Sequence, residues 1–168
     1  MKHICFTGHR NIKNTQKLAL CLENTLRKLI QEENASEFYS GGAIGWDTLC
    51  AQTVLKLRNE YPHIRLNLIL PCNESEQTSL WKESDKKVFK EILYSADTVE
   101  FTSAHYYNGC MKKRNIRLIE LTECCVCYYN TRNYASGTGQ TVRLAEKKNI
   151  RIINLYPALH TPKNEFFI

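Results

Sequence analysis

The chain has 168 residues, 43% of them hydrophobic, and carries 23 Lys+Arg against 17 Asp+Glu for a formal charge of +6 and a pI near 8.9. That length suits one domain, 1–168, with one sizeable core. The modest positive balance suits an anionic ligand, while the scattering of the basic residues argues against a dedicated nucleic-acid arm. The apolar run at residues 1–8 is too short for a signal peptide, and no run of about 18 apolar residues occurs, so the expectation is a soluble cytoplasmic protein with no membrane partner. In chain order, residues 3–7 read as a buried strand. Asn14 or Thr15 then caps a helix whose apolar face is Leu18, Leu22, Leu26, Leu29 and Ile30. A short strand at 38–40 leads to a helix at 46–59 with Cys50, Val54 and Leu57 inward. A third strand at 64–70 stops at Pro71, and a long charged helix at 76–94 follows. Then come a strand at 98–101, a helix at 112–122, a strand at 124–129, a helix at 139–148 and a last strand at 150–155. The tail 157–168 carries no motif. Strands alternating with helices predict a three-layer α/β domain, a Rossmann-like parallel sheet with helices on both faces.

Cys5, Cys124, Cys125 and Cys127 sit in apolar strands, and Cys21 and Cys50 in helical patterns, so the thiols read as reduced core residues. The 124–127 cluster lacks a second cysteine pair or a nearby His to complete a zinc set. The reading includes neither a metal nor a cofactor.

Five of the seven glycines make two clusters, Ser40-Gly41-Gly42-Ala43-Ile44-Gly45 and Ser136-Gly137-Thr138-Gly139. Glycine lets backbone amides approach an anion, and a helix starting just after the loop adds the positive end of its dipole. In a parallel sheet such a site lies at the carboxyl ends of the strands where strand order reverses. The candidate ligand-binding residues are therefore Thr7, Gly8 and Arg10 after the first strand and Ser40, Gly41, Gly42, Gly45 and Asp47 after the second. Ser136, Gly137, Thr138, Gly139 and Thr141 follow after the fifth. Arg10 would neutralise phosphate, the glycine amides would cradle it, and Thr7, Ser40 and Asp47 would select sugar hydroxyls. Asp47 as a plain helix cap is an equal alternative. A dinucleotide-binding fingerprint needs three spaced glycines after the first strand, where Gly8 stands alone, and the P-loop pattern GxxxxGK[ST] is absent.

Taken together, Thr7-Gly8-His9-Arg10, the 40–47 loop, Arg114-Asn115 and Ser136-Gly137-Thr138-Gly139-Gln140-Thr141 resemble the SLOG superfamily, closest to its YpsA-like branch. The superfamily is named for DNA-processing protein A and the Lonely Guy enzymes. The resemblance implies a nucleotide or nucleotide-derived ligand, often a homodimer, and in some branches a sensor or effector role. Lonely Guy enzymes release a base from a nucleoside monophosphate using an Arg and a GGxGTxxE loop. Arg114 and Gly137-Thr138 match that pattern, but Thr141 stands where the Glu belongs, and the resemblance thus adds Arg114 and Asn115 to the ligand-binding candidates, with Arg114 a second residue to neutralise phosphate. The leading expectation is a sensor or ligand-sequestering module. Two alternatives stay open: an N-glycoside hydrolase with Asp47 and Arg114 as its catalytic pair, and a nucleic-acid binding protein.

Overall fold

The structure is a computed structural model, and it describes residues 2–157. Its strands are β1 (Lys2–Gly8), β2 (Ala35–Ser40), β3 (Arg65–Leu70), β4 (Thr98–Phe101), β5 (Cys124–Tyr128) and β6 (Arg151–Asn154). Its helices are α1 (Thr15–Glu33), α2 (Trp46–Leu57), α3 (Glu74–Gln77), α4 (Glu83–Ser95), α5 (Cys110–Glu120) and α6 (Gly137–Lys147). All strand pairs are parallel, in the order β4-β3-β2-β1-β5-β6. The chain steps outward from β1 to β4, then returns to the far side of β1 for β5. Order therefore reverses between β1 and β5, which opens a crevice at their carboxyl ends.

The two-residue period of the strands splits the core into two layers. Ile4 and Phe6 of β1, with Cys124, Val126 and Tyr128 of β5, pack against the buried faces of α1, α2 and α4. Cys5, Cys125, Cys127 and Tyr129 turn the other way, onto Leu118 and Ile119 of α5 and Val142 and Ala145 of α6. The α1 face is the one its spacing predicts: Leu18, Leu22, Leu26, Leu29 and Ile30 are all buried. All eight cysteines are free thiols. Burial pushes Cys124 up to about 11 and Cys127 up to about 12, which leaves both as core packing rather than nucleophiles.

Three expectations need correction. The long helix over 76–94 is two helices, α3 and α4, separated at 78–82. Local side-chain bonds compete with the helix there. The Asn73 side chain caps α3 by accepting from Glu76 N at 3.0 Å, Thr78 Oγ1 donates to Glu74 O at 2.9 Å, and Ser79 Oγ donates to Glu76 O at 3.1 Å. Trp81 then folds edge-on against Phe89, centroids 5.4 Å apart, and fixes the break. Asn14 is the N-cap residue of α1 but lies in the left-handed region at φ 51 and makes no side-chain cap bond. The helices expected from Lys112 and Gly139 each begin two residues earlier, at Cys110 and Gly137, because Gly109 and Ser136 supply the caps. The expectation for the tail lies outside the described residues beyond Pro157.

Candidate functional site

At the β1/β5 crevice a cavity of about 260 Å³ is lined by Phe6, Thr7, Gly8, His9, Arg10, Ala43, Asp47, Met111, Arg114, Asn115, Ser136, Gly137 and Thr138. Three helix starts contribute to its wall: Asp47 from α2, Met111 and Arg114 from α5, and the opening of α6. Each brings unsatisfied amides and a partial positive charge.

The start of α6 is built by Ser136. Its Oγ accepts from Gly139 N at 3.1 Å and donates to Asn133 O at 2.7 Å, so the cap is used up holding the loop. The amides of Gly137 and Thr138 have no acceptor among the described residues. A Cβ placed on Gly137 would meet nothing within 4 Å. Gly137 does not adopt positive φ, so its lack of a side chain leaves open space at the exposed rim of the cavity rather than permitting a turn. Gly139 differs: a Cβ there would press on the Tyr134 and Asn133 carbonyls.

Arg114 and Asp47 form the polar floor. Both are buried, 6% exposed each, with Arg114 Nη1 3.9 Å from Asp47 Oδ2. Arg114 Nε donates to Asn115 Oδ1 at 2.7 Å, and Nη1 donates to the Gly41 carbonyl. Asp47 Oδ2 accepts from Ala43 N at 3.2 Å. Burial pushes the Asp47 carboxyl above its ordinary range, and the Arg114 guanidinium, the Ala43 amide and Arg10 pull it part of the way back. Burial likewise lowers Arg114, against the pull of Asp47. Arg10 is exposed, lines the cavity, and its side chain has no hydrogen bond or ion pair among the described residues.

The second-strand loop serves mainly as scaffold. Ser40 Oγ donates to Asp47 O at 3.2 Å and accepts from Gly42 N at 3.3 Å, and Ser40 is fully buried away from the cavity lining. Gly42 (φ 69) lies against Leu70 and Phe89, Gly45 (φ 80) against the Arg10 carbonyl, and Gly41 under Arg114. Gly8 leaves room for Trp46, which is fully buried, stacks on Tyr128 at 5.6 Å and donates from Nε1 to Val126 O at 3.3 Å. Thr141 lies outside this cavity, its Oγ1 donating to Gly137 O at 2.9 Å in the usual helical back-bond.

The structure thus brings Thr7, Gly8, Arg10, Asp47, Arg114, Asn115, Ser136, Gly137 and Thr138 to one cavity. Ser40, Gly41, Gly42, Gly45, Gly139 and Thr141 stand behind or beside it. Sequence reasoning left out Phe6, His9, Ala43 and Met111. His9 and Ala43 lie inside the motifs that pointed to the site, and Met111 precedes Arg114 by one helical turn, the spacing that shares a face. His9 Nε2 accepts from Asn130 N at 2.9 Å, which places its proton on Nδ1, and burial lowers its basicity. Among the described residues no cluster of three metal-ligating side chains forms, and no helix is long and apolar enough to cross a membrane.

With this geometry established, comparison with known proteins finds that the profile of the YspA SLOG family matches residues 4–157. The chain belongs to the YspA SLOG family. A UPF0398 protein of Halalkalibacterium halodurans is 30% identical over 125 residues, covering 73% of this chain and 63% of that protein. The SPbeta prophage-derived protein YoqJ of Bacillus subtilis is 30% identical over 134 residues, covering 73% and 76%. A UPF0398 protein of Bacillus cereus is 25% identical over 166 residues, covering 93% and 88%. The matched region spans less than two thirds of the Halalkalibacterium protein. Among solved structures, DNA processing protein A from Helicobacter pylori, described with a single-stranded DNA binding mode, superposes with a TM-score of 0.62 at 20% identity. That match covers 90% of this chain and 63% of the other, and it shares the three-layer Rossmann-like fold.

Proposed function

We propose that this SLOG domain binds a nucleotide or nucleotide-derived ligand, with its phosphate at the start of α6. The observation that carries this reading is the pair of unengaged amides, Gly137 and Thr138, beside open space above the Gly137 Cα, at the strand-order reversal. Helix N-termini attract phosphate through free N–H groups and the macrodipole. Arg10, exposed and with no side-chain hydrogen bond or ion pair among the described residues, supplies a second positive charge. Arg114 acts differently from Arg10: its bonds to Gly41 and Asn115 make it a fixed positive floor that also positions Asp47.

The test is calorimetric titration of AMP, GMP, CMP and UMP beside the matching nucleosides. A charge-assisted phosphate contact contributes roughly 1.5–3 kcal/mol, so at least one nucleotide should bind about tenfold to a hundredfold more tightly than its nucleoside. Equal affinities would remove phosphate from the site. Mass spectrometry of small molecules released on denaturing the purified protein identifies a native ligand directly.

One observation favours a second reading. Among the described residues Asp47 is the sole carboxylate lining the cavity, and burial raises it above the ordinary carboxylate value, the direction a general acid needs. N-glycoside hydrolysis would then show as free base released over multiple turnovers and lost in Asp47→Asn. Against this, the carboxylate is tied to Ala43 N and faces Arg114, which favours a binding site over a hydrolytic one. An oligonucleotide titration across salt covers nucleic acid as ligand, since that binding weakens steeply with salt.

A further inference from the structure

A groove of about 330 Å³ runs between α5 and α6 and adjoins the phosphate cradle at Asn115, which lines both. Lys112 and Arg143 give it two positive charges, and among the described residues no carboxylate lines it. The larger cavity that meets the cradle at Arg10 and Met111 differs, because Glu76 and Asp85 there offset Arg10 and Lys82. The Arg143 guanidinium is held in place: Nη1 donates to Tyr134 O at 2.7 Å, and Cζ lies 3.8 Å from the centre of the Tyr134 ring. That carbonyl precedes α6 and sits 2.5 Å from where a Cβ on Gly139 would stand, so the charge is drawn back to the first turn of the helix. Cations are disfavoured at the positive end of a helix, and this one has no carboxylate partner among the described residues. An anion at that end removes the conflict. Asn115 adds a donor. Its Oδ1 accepts from Arg114 Nε at 2.7 Å, which settles the amide and leaves Nδ2 with no acceptor among the described residues. Lys112 is exposed and likewise makes no hydrogen bond or ion pair among them.

We propose that this groove is a second anion subsite of the nucleotide site, so that the ligand is a nucleotide with two phosphates. Arg143 and Lys112 supply the charge and Asn115 Nδ2 a hydrogen bond, while the first phosphate keeps the Gly137 and Thr138 amides. With Nη1 spent on Tyr134, Arg143 still presents its Nε and Nη2 edge, and two parallel N–H groups match two oxygens of one phosphate. The inference rests on the phosphate reading, because the groove reaches the cradle through Asn115. The second phosphate has two sources, the outer group of a 5′-diphosphate or a 3′-phosphate across the ribose. What the groove recognises is common to both, a phosphate beside the one at the start of α6.

The experiment is calorimetry on the intact protein with AMP, GMP, CMP and UMP, each beside its 5′-diphosphate and its 3′,5′-bisphosphate. For at least one base, one of the two should bind about tenfold or more tightly than the monophosphate, and which of them does so names the source of the second phosphate. Lys112→Gln and Arg143→Gln should each shrink that gain severalfold. Lys90→Gln, the same charge change as Lys112→Gln but on α4 across the sheet, should leave the gain as in wild type. If every monophosphate binds as tightly as both of its counterparts, or if Lys90→Gln shrinks the gain as much as Lys112→Gln, the second subsite is refuted while the cradle stands. A gain undiminished in both groove variants refutes it as well. If no phosphorylated ligand binds, both readings fall together. Should Arg143→Gln fold poorly, Lys112→Gln still decides the question, because Lys112 is exposed and bonds to nothing among the described residues.

Discussion

Replacing Arg114 with methionine keeps the apolar stem of the side chain and removes the guanidinium that floors the cavity. The structure fixes what is lost: the bonds to Gly41 O and Asn115 Oδ1, and the positive charge 3.9 Å from a carboxylate that is 6% exposed. Breaking a buried ion pair from one side typically costs about 3–5 kcal/mol, because the remaining charge has nowhere to go. For a domain of this size, at about 2–4 °C per kcal/mol, the melting temperature should fall by about 6–20 °C. Asp47 makes the loss depend on pH. Its folded-state value already lies above the ordinary 3.8, and losing Arg114 raises it further. The folded state then binds more protons than the unfolded state between those two values, so the stability deficit shrinks as pH falls through that window. Thermal and urea melts at pH 8 and pH 5 measure both effects. Adding Asp47→Asn to Arg114→Met should recover stability by removing the stranded charge. The account of the floor fails if Arg114→Met melts within about 2 °C of wild type, or if the double variant is less stable than the single one.

Gly45→Ala should destabilise by more than about 1 kcal/mol, because φ is 80 and the new Cβ would collide with the Arg10 carbonyl; urea melts check it. His9 makes the β1 loop acid-sensitive. Its folded-state value lies below the ordinary 6.5, so stability is lost as pH falls through 6.5 toward that lower value, where protonation also removes the acceptor for Asn130 N. Melting curves from pH 7.5 to 5 should show a smaller loss in His9→Gln than in wild type, the Asp47 contribution being common to both. An equal loss would show that His9 plays no part.

The parallel α/β order was legible because each strand is an apolar run and each helix carries a 3.6-residue stripe. The α1 and α2 faces illustrate this, with Leu18 through Ile30, and Cys50, Val54 and Leu57, buried as spaced. The break between α3 and α4 was missed because the local bonds of Asn73, Thr78 and Ser79 do not by themselves stop a helix, and what fixes the break is Trp81 meeting Phe89 and Gln77 reaching Gly42, contacts that no local pattern encodes. The candidate site divides the same way. Clustered glycines located the loops, yet three of them are glycine for packing: Gly41 admits Arg114, Gly42 lies against Leu70, and Gly45 admits the Arg10 carbonyl, just as the lone Gly8 admits Trp46. Only the three-dimensional arrangement separates these from Gly137, whose missing side chain leaves open space at the cavity rim. A neighbouring cavity of about 920 Å³ was invisible because most of its wall comes from residues 75–85, which read simply as charged helix, and the rest from Arg10, Ile44, Tyr106 and Met111, far apart in sequence.

Gly137→Val tests the central claim most directly. The position tolerates a side chain, with ordinary φ and no atom within 4 Å of a new Cβ, so the melting temperature should stay within a few degrees of wild type. The valine methyls would occupy the space assigned to phosphate. Calorimetry with a nucleotide that binds wild type should therefore find binding lost in Gly137→Val; affinity equal to wild type in a correctly folded variant would contradict a phosphate cradle at the start of α6.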